Sequence, residues 1–156
     1  MIEFVNTRIN YGDFVALKDI NLKINEGEFF TLLGPSGCGK TTTLRGLVGL
    51  NQLSSGDVLI HGKSMKDVAI EKRGIGVVFQ NYALFPTMSV FDNIAYGLKV
   101  RKEDKASIKK KVEEACVMVE LDEHHLAKNI SELSGGQQQR VAIARALVLK
   151  PEILVL

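Results

Sequence analysis

The sequence predicts an α/β fold, and three of its features lead to that prediction. The mostly apolar run 28–33 passes into a glycine-rich loop, 34–41, which leads into a stretch with the apolar spacing of a helix. Residues 20–24 alternate apolar and polar, which is typical of a half-buried strand. From residue 89 onward, apolar side chains recur at helical intervals. We therefore expect a mostly parallel core around the loop, an antiparallel N-terminal layer and a helical part.

The individual elements follow from these periodicities. Strands are expected at 20–24, 28–33, 57–60 and 75–79, and the helix after the loop at 42–48. Ser89 and Asp92 form a capping-box-like start for a helix through Leu98. Asp104 can cap the next helix, on which one inner stripe is formed by Ile108, Val112, Ala115 and Val119.

Composition limits the classes of protein to consider. The chain has 156 residues, of which 46% are hydrophobic, so we expect one globular domain. No apolar run approaches the ~20 residues that span a bilayer, and the start at Met1 resembles a strand rather than a signal peptide. The net charge of +2 is too small to indicate nucleic acid. Cys38 and Cys116 match no metal or redox spacing, so reduced thiols and a cytoplasmic location are expected.

The glycine-rich loop carries the clearest chemistry. Its sequence, Gly34-Pro35-Ser36-Gly37-Cys38-Gly39-Lys40-Thr41, matches the phosphate-binding pattern G-x-x-x-x-G-K-[ST] throughout. Glycines let backbone N–H groups approach phosphate oxygens, Lys40 adds a positive charge, and the Thr41 hydroxyl can bind Mg²⁺. The phosphates would lie at a helix N-terminus, which favours anions. The loop therefore predicts a nucleotide-binding protein.

Cys38 lies inside this loop, and two interpretations of it stay open. Helix-end N–H groups and Lys40 could make its thiol reactive, or the thiol could be only a small residue that fits the loop. In the first case, alkylation of Cys38 should block nucleotide binding.

A second motif predicts another anion-binding helix end. Leu133-Ser134-Gly135-Gly136-Gln137 precedes a helical stretch that ends near Lys150, before Pro151. Ser134 is a natural N-cap, and the two glycines leave the N–H groups of the first turn uncovered. Two such helix ends in one chain have no simple explanation in packing alone.

Together these motifs make residues 2–156 resemble the ATP-binding subunit of an ATP-binding cassette (ABC) transporter. In that resemblance, 34–41 is the Walker A loop and 133–137 the family signature. Gln80, at the end of its strand, corresponds to the Q-loop glutamine. Tyr11 stands where the family places an aromatic ring against adenine, although it could simply end its strand.

The resemblance implies a P-loop NTPase fold, with 1–156 as one incomplete nucleotide-binding domain and a helical subdomain at about 81–131. It also implies a head-to-tail dimer that encloses two ATP molecules with Mg²⁺. One subunit would hold the nucleotide, with Thr41 and Gln80 at the metal and Gln80 and Lys40 at the reacting phosphate. The implied nucleotide contacts are Tyr11, Gly34, Pro35, Ser36, Gly37, Cys38, Gly39, Lys40, Thr41 and Thr42. The partner would contribute Ser134, Gly135, Gly136 and Gln137.

The implied partners are a second copy of the chain, membrane permease subunits and, indirectly, an extracytoplasmic solute-binding protein, but no nucleic acid. The protein would lie peripherally on the cytoplasmic face of the membrane. Residues 81–86 resemble importers for polyamines, ferric iron, phosphonates or sugars, and 42–45 favour the first three. The apolar segment 82–88 could receive a permease helix or pack within the helical subdomain, and the two alternatives are compatible.

The pattern departs from the family at the last residues. Residues 151–156 resemble the Walker B strand, which in relatives continues into a magnesium-binding Asp and a catalytic Glu, then a D-loop, a switch histidine and the last core strands. None of these is in the sequence. Glu152 begins its strand, roughly 13 Å from the ligand-binding end, and cannot replace them.

We therefore expect these 156 residues alone to hydrolyse ATP very slowly, because no group orients the attacking water. A turnover within about tenfold of a full-length relative, measured under the same conditions, would contradict this. Two alternatives to an importer subunit remain. One is a truncated, binding-only product. The other is a soluble ABC protein that acts on nucleic acid or ribosomes, although such proteins usually carry two cassettes or long insertions.

Two charged stretches have ordinary explanations. The triplet at 109–111 could meet an anionic partner or form a solvated helix face. His124 and His125 lie in a polar stretch without an evident third ligand, so we do not expect a metal there.

Overall fold

The computed structural model describes residues 1–156, and the chain divides into two compact units, residues 1–73 and 74–156. The first unit contains β1 (Ile2–Tyr11), β2 (Phe14–Ile24), α1 (Lys40–Val48), β3 (Ser55–Ile60) and β4 (Lys63–Ser64). The second contains β5 (Ile75–Val77), α2 (Val90–Val100), α3 (Lys105–Met118), α4 (Gly135–Leu147) and β6 (Ile153–Val155). The predicted α/β class is confirmed. None of the helices is long and apolar enough to cross a membrane.

The first unit is built on a four-stranded antiparallel sheet in the order β2-β1-β3-β4. The alternation predicted for residues 20–24 is confirmed, because Ile20, Leu22 and Ile24 are half-buried while the residues between them are exposed. In the centre of the sheet, the buried Thr7 donates a hydrogen bond of 2.7 Å from its hydroxyl to the carbonyl oxygen of Asp57. This sheet is the predicted antiparallel N-terminal layer.

The strand predicted at 28–33 is wrong. This run forms no regular structure, and the side chains of Phe29 and Leu33 are 89% and 87% exposed. An apolar run becomes a strand only when neighbouring strands satisfy its backbone N–H and C=O groups, and here no strand pairs with it. The parallel pairing in the structure lies in the second unit, between β5 and β6, and joins Ile75 to Ile153 through Val77 to Val155.

The helices of the second unit begin at the predicted caps. The Ser89 hydroxyl accepts a hydrogen bond from the Asp92 N–H at 3.0 Å, and an Asp104 carboxylate oxygen accepts one from the Ser107 N–H at 2.9 Å. α2 continues two residues beyond the predicted Leu98. The inner stripe of α3 is confirmed, and its buried members join one apolar core with α2 and α4. That core includes Val90, Ile94, Leu98, Ile108, Val112, Ala115, Val141 and Ala144.

The lysine triplet on α3 is paired with acidic groups of its own unit. Lys109 and Lys110 face Glu113 and Glu114 one turn later, at 3.7 and 4.0 Å, and Lys111 contacts Glu103 at 2.6 Å. Lys111 also lowers the pKa of Glu103 through this hydrogen bond. These pairs favour a solvated helix face over a site for an anionic partner.

Two glycines of the first unit offer a matched test of backbone crowding. Gly56 and Gly62 have φ of 77° and 74°, but a Cβ on Gly56 would lie 2.2 Å from the carbonyl oxygen of Asn6, whereas one on Gly62 meets nothing within 4 Å. We expect Gly62→Ala to cost about 1 kcal/mol from the left-handed backbone alone. Gly56→Ala should cost about 1.5 kcal/mol more. Urea unfolding of both variants measures the difference, and equal losses would contradict the crowding.

Candidate functional site

The glycine-rich loop leads into a helix N-terminus that is open, in the sense that no side chain caps its N–H groups. α1 begins at Lys40, and its N-cap, Gly39, provides no side-chain hydrogen bond. The Thr43 N–H already bonds the Gly39 carbonyl oxygen at 2.8 Å, whereas the N–H groups of the first helical turn before it have no acceptor within the helix. Such a helix end attracts anions through its free donors and its dipole.

The loop is tight enough to require glycine at Gly39. Its φ is 95°, and a Cβ would stand 2.7 Å from the Leu17 side chain. At Gly34, a Cβ would lie 2.8 Å from the Cys38 sulfur. The backbone of residues 34–38 is exposed, as a phosphate cradle needs.

Lys40 places its charge at the same loop. Its Nζ donates hydrogen bonds to the carbonyl oxygens of Gly34 and Pro35, at 2.8 and 2.7 Å, and lies 3.5 Å from the Cys38 sulfur. Thr41, the next residue, is exposed at the start of α1, and its hydroxyl is the type of ligand that Mg²⁺ prefers. The donor set of this loop fits a nucleotide phosphate chain with its divalent cation.

Tyr11 ends β1, and the residue is 50% exposed. Its hydroxyl accepts a hydrogen bond of 2.7 Å from the side-chain amide of Asn51, just beyond α1. This contact orients the ring of a residue that remains half accessible. Tyr11 thus ends its strand, and it also keeps the accessible ring that adenine stacking requires.

Gln80 lies in the second unit, exposed, three residues after β5. The segment that follows it is strained, because Tyr82 and Ala83 both have left-handed backbones, with φ of 60° and 46°. Arg145 of α4 donates hydrogen bonds to the carbonyl oxygens of these two residues, at 2.7 and 2.8 Å. Its guanidinium also lies 5.5 Å from the centre of the Phe85 ring, and partial burial lowers the pKa of Arg145.

The other side of this segment is held by Asn93, which is fully buried on α2. Its side-chain oxygen accepts from the Phe85 N–H at 2.9 Å, and its amide donates to the carbonyl oxygens of Phe85, Met88 and Ser89. Leu84 packs against the helical core, and the rings of Phe85 and Tyr96 lie 4.7 Å apart. Part of the segment 82–88 therefore packs inward. Sequence patterns did not identify Asn93 or Arg145 as its anchors.

The second motif forms the capped helix start that the sequence predicts. The Ser134 hydroxyl accepts from the Gln137 N–H at 3.4 Å, and the Ser134 N–H donates to the Gln137 side-chain oxygen at 2.9 Å. Ser134, Gly135 and Gly136 are exposed, and a Cβ on either glycine would meet nothing within 4 Å. This is a second helix N-terminus, and its backbone at Gly135 and Gly136 is open to solvent.

His125 packs beneath this motif and was not predicted to contact it. Its ring is 7% exposed and its Nε2 lies 3.1 Å from the Gln137 side-chain nitrogen. Contrary to expectation, a third potential ligand is close, since Asp122, His124 and His125 each bring one ligand atom within 4.8 Å of the others. Both His125 nitrogens are already engaged, the second by the Asp122 carbonyl oxygen at 3.3 Å, so the cluster carries no metal assignment here.

The two cysteines differ in accessibility, and this makes Cys38 testable. Cys116 is buried, which raises the pKa of its thiol to about 11, whereas Cys38 is exposed in the loop. We expect a thiol reagent at pH 8 to modify Cys38 alone in the folded protein and to abolish ATP binding by filling the loop. Mass spectrometry locates the adduct, and Cys38→Ala is the control. Unchanged ATP binding after complete modification of Cys38 would contradict this.

A family model for the ABC transporter matches residues 17–156. The chain is 52% identical over all 156 residues to the spermidine/putrescine import ATP-binding protein PotA of Aggregatibacter actinomycetemcomitans, and 51% identical to that of Clostridium novyi. It spans 42% and 45% of the lengths of these two relatives.

Solved structures of a related protein share the fold of this chain. The dimeric structure of MJ0796, described as a bacterial ABC transporter cassette, is 36% identical with a TM-score of 0.87, over 99% of this chain and 72% of that one. A structure of the same cassette bound to ADP and Pi has the same TM-score at 35% identity and covers the same shares. This chain belongs to the ABC transporter family, because the model for that family matches nine-tenths of its length.

Proposed function

We propose that this chain is the ATP-binding part of a solute importer and couples ATP binding and hydrolysis to transport, with polyamines such as spermidine and putrescine as the solutes. The observation that carries this is the pair of helix N-termini, one after the glycine-rich loop and one at Ser134. Identities of about one half to polyamine import subunits support the solute class.

The proposed nucleotide contacts divide between two copies of the chain. One copy would hold ATP through residues 34–42, with Tyr11 against the base, and Mg²⁺ through Thr41 and Gln80. The other would contact the terminal phosphate through residues 134–137. Bound Mg²⁺ would neutralise phosphate charge. Because one chain carries both motifs, two chains arranged head to tail would complete two sites, as the dimeric cassette among the relatives suggests.

The residues of the loop would bind ATP and compensate its charge, without forming or breaking a covalent bond themselves. The N–H groups at the start of α1 bind the phosphates, and Lys40 compensates their charge. Gln80 would sense the terminal phosphate and metal and pass that state to the segment after it. We further propose that residues 81–131 form a helical subdomain of one nucleotide-binding domain, which contacts membrane permease subunits at the cytoplasmic face. A solute-binding protein outside the membrane would act indirectly.

Uptake in the source cells tests this proposal. Disruption of the gene should abolish uptake of labelled spermidine or putrescine, and the wild-type gene should restore it while Lys40→Ala should not. Affinity purification of the tagged protein should recover integral membrane permease subunits. Unchanged uptake of both polyamines would contradict the solute class, and ribosomes or nucleic acid in place of permease subunits would favour the soluble alternative.

The binding-only alternative needs a separate measurement. The intact mass of the protein from its own cells, compared with 17.2 kDa, is that measurement. A matching mass together with ATP binding but no turnover would support the binding-only product. A larger mass with turnover would support the importer subunit.

A further inference from the structure

We propose that His125 is a positioning residue for the signature segment, residues 133–137, and acts by holding the side-chain amide of Gln137. This deepens the proposed function, on which its link to ATP rests. His125 would contact neither ATP nor Mg²⁺.

The contact has a defined hydrogen-bonding direction. The Gln137 side-chain oxygen accepts the Ser134 N–H at 2.9 Å, which assigns the opposite end of the amide as NH₂. That NH₂ lies 3.1 Å from His125 Nε2, so Nε2 must be the acceptor and carry no proton. The other ring nitrogen, Nδ1, donates to the Asp122 carbonyl oxygen at 3.3 Å. Both contacts are satisfied by one tautomer of the neutral imidazole.

The surroundings keep His125 in place. The ring is 7% exposed, and the His124 ring lies against it with centroids 3.8 Å apart. His125 closes a short 3₁₀ turn, Glu123–His125, whose Asp122 carbonyl also accepts the His125 N–H at 3.0 Å. A buried acceptor on such a fixed turn can restrict the Gln137 side chain to one rotamer, which an exposed glutamine would not keep.

The Gln137 rotamer matters because it completes the capping box of α4. Without its oxygen, the Ser134 N–H loses its acceptor, and the return bond from the Gln137 N–H to the Ser134 hydroxyl is already long at 3.4 Å. Gly135 and Gly136 have no side chains of their own with which to fix this turn. Loss of the His125 contact should therefore loosen the groups proposed to meet the phosphate of the partner's ATP.

Three variants separate a hydrogen-bonding role from simple packing. His125→Phe keeps an aromatic ring but removes the acceptor, and His125→Gln keeps an acceptor near the Nε2 position. His124→Phe is the matched control, since its ring is the exposed neighbour. Two readouts apply to the purified protein: hydrogen exchange of the Ser134 amide, and Mg-ATP-dependent self-association by sedimentation velocity. Binding of a fluorescent ATP analogue and thermal unfolding are measured alongside.

We expect His125→Phe to speed exchange at the Ser134 amide by about fivefold, the equivalent of one neutral hydrogen bond. Because a head-to-tail dimer has two such contacts, its ATP-dependent association constant should fall by about 25-fold, while ATP-analogue affinity stays within about twofold. His125→Gln and His124→Phe should resemble the wild type in both readouts.

Two results would overturn the proposal. Ser134 exchange in His125→Phe equal to that in His124→Phe would remove the positioning role, and a His125→Gln variant as impaired as His125→Phe would assign the effect to ring packing. If the exchange results are as expected but the wild type does not associate with Mg-ATP, the positioning role stands and the proposed dimer is wrong.

Discussion

Lys40→Ala is expected to weaken ATP binding by about 100-fold, because removal of a cation from charge-assisted hydrogen bonds costs on the order of 3 kcal/mol. In the structure, the Lys40 ammonium bonds two carbonyl oxygens of the loop, those of Gly34 and Pro35. It therefore lies over the same loop whose free N–H groups face an incoming phosphate chain. Removing it leaves the phosphate charge compensated only by the helix end of α1.

The measurement is the dissociation constant for Mg-ATP by isothermal titration calorimetry. Lys63→Ala is the matched control, since Lys63 is exposed on β4 and the same change in net charge occurs away from the loop. Thermal unfolding should differ little between the two variants, because Lys40 lies outside the buried core and its removal disturbs no core packing. Equal affinities of the two variants would contradict the proposed role of the loop.

The parts of the site that the sequence could predict depend on local chemistry. Ser89, Asp104 and Ser134 cap their helices as expected, because a cap involves only residues three positions apart. The left-handed backbone at Gly39 is local as well, since it belongs to the turn into α1, although the clash of a Cβ with Leu17 is not. These features could be recognised without knowledge of the remaining fold.

The features that escaped prediction depend on distant residues. The run 28–33 has the composition of a strand, yet whether it becomes one is decided by partners elsewhere in the chain. Arg145 reaches Tyr82 across 63 positions, and nothing in its helical spacing distinguishes it from a surface arginine. His125 contacts Gln137 through a turn that packs beneath α4. Such contacts can be inferred only when the packing of the helices is known.

Arg145→Ala is expected to destabilise the second unit by about 3 kcal/mol, through the loss of two charge-assisted hydrogen bonds and a cation–π contact in a partly solvated site. The two carbonyl oxygens that it binds belong to Tyr82 and Ala83, whose left-handed backbones are themselves unfavourable. Without the arginine, this segment should relax. The backbone at Gln80, two residues before Tyr82, should then become more mobile.

Arg140 on the same helix provides the matched control. Its guanidinium also donates to two carbonyl oxygens, those of Val119 and Glu120, but they lie at the end of α3, away from the segment after Gln80. Its side chain is 43% exposed, so Arg140→Ala should cost about 1.5 kcal/mol by urea unfolding.

Amide exchange between residues 82 and 85 should rise in Arg145→Ala and not in Arg140→Ala. If exchange there rises equally in both variants, the arginine stabilises the unit generally. A selective rise means that α4, which begins at the signature segment, also holds the backbone after Gln80.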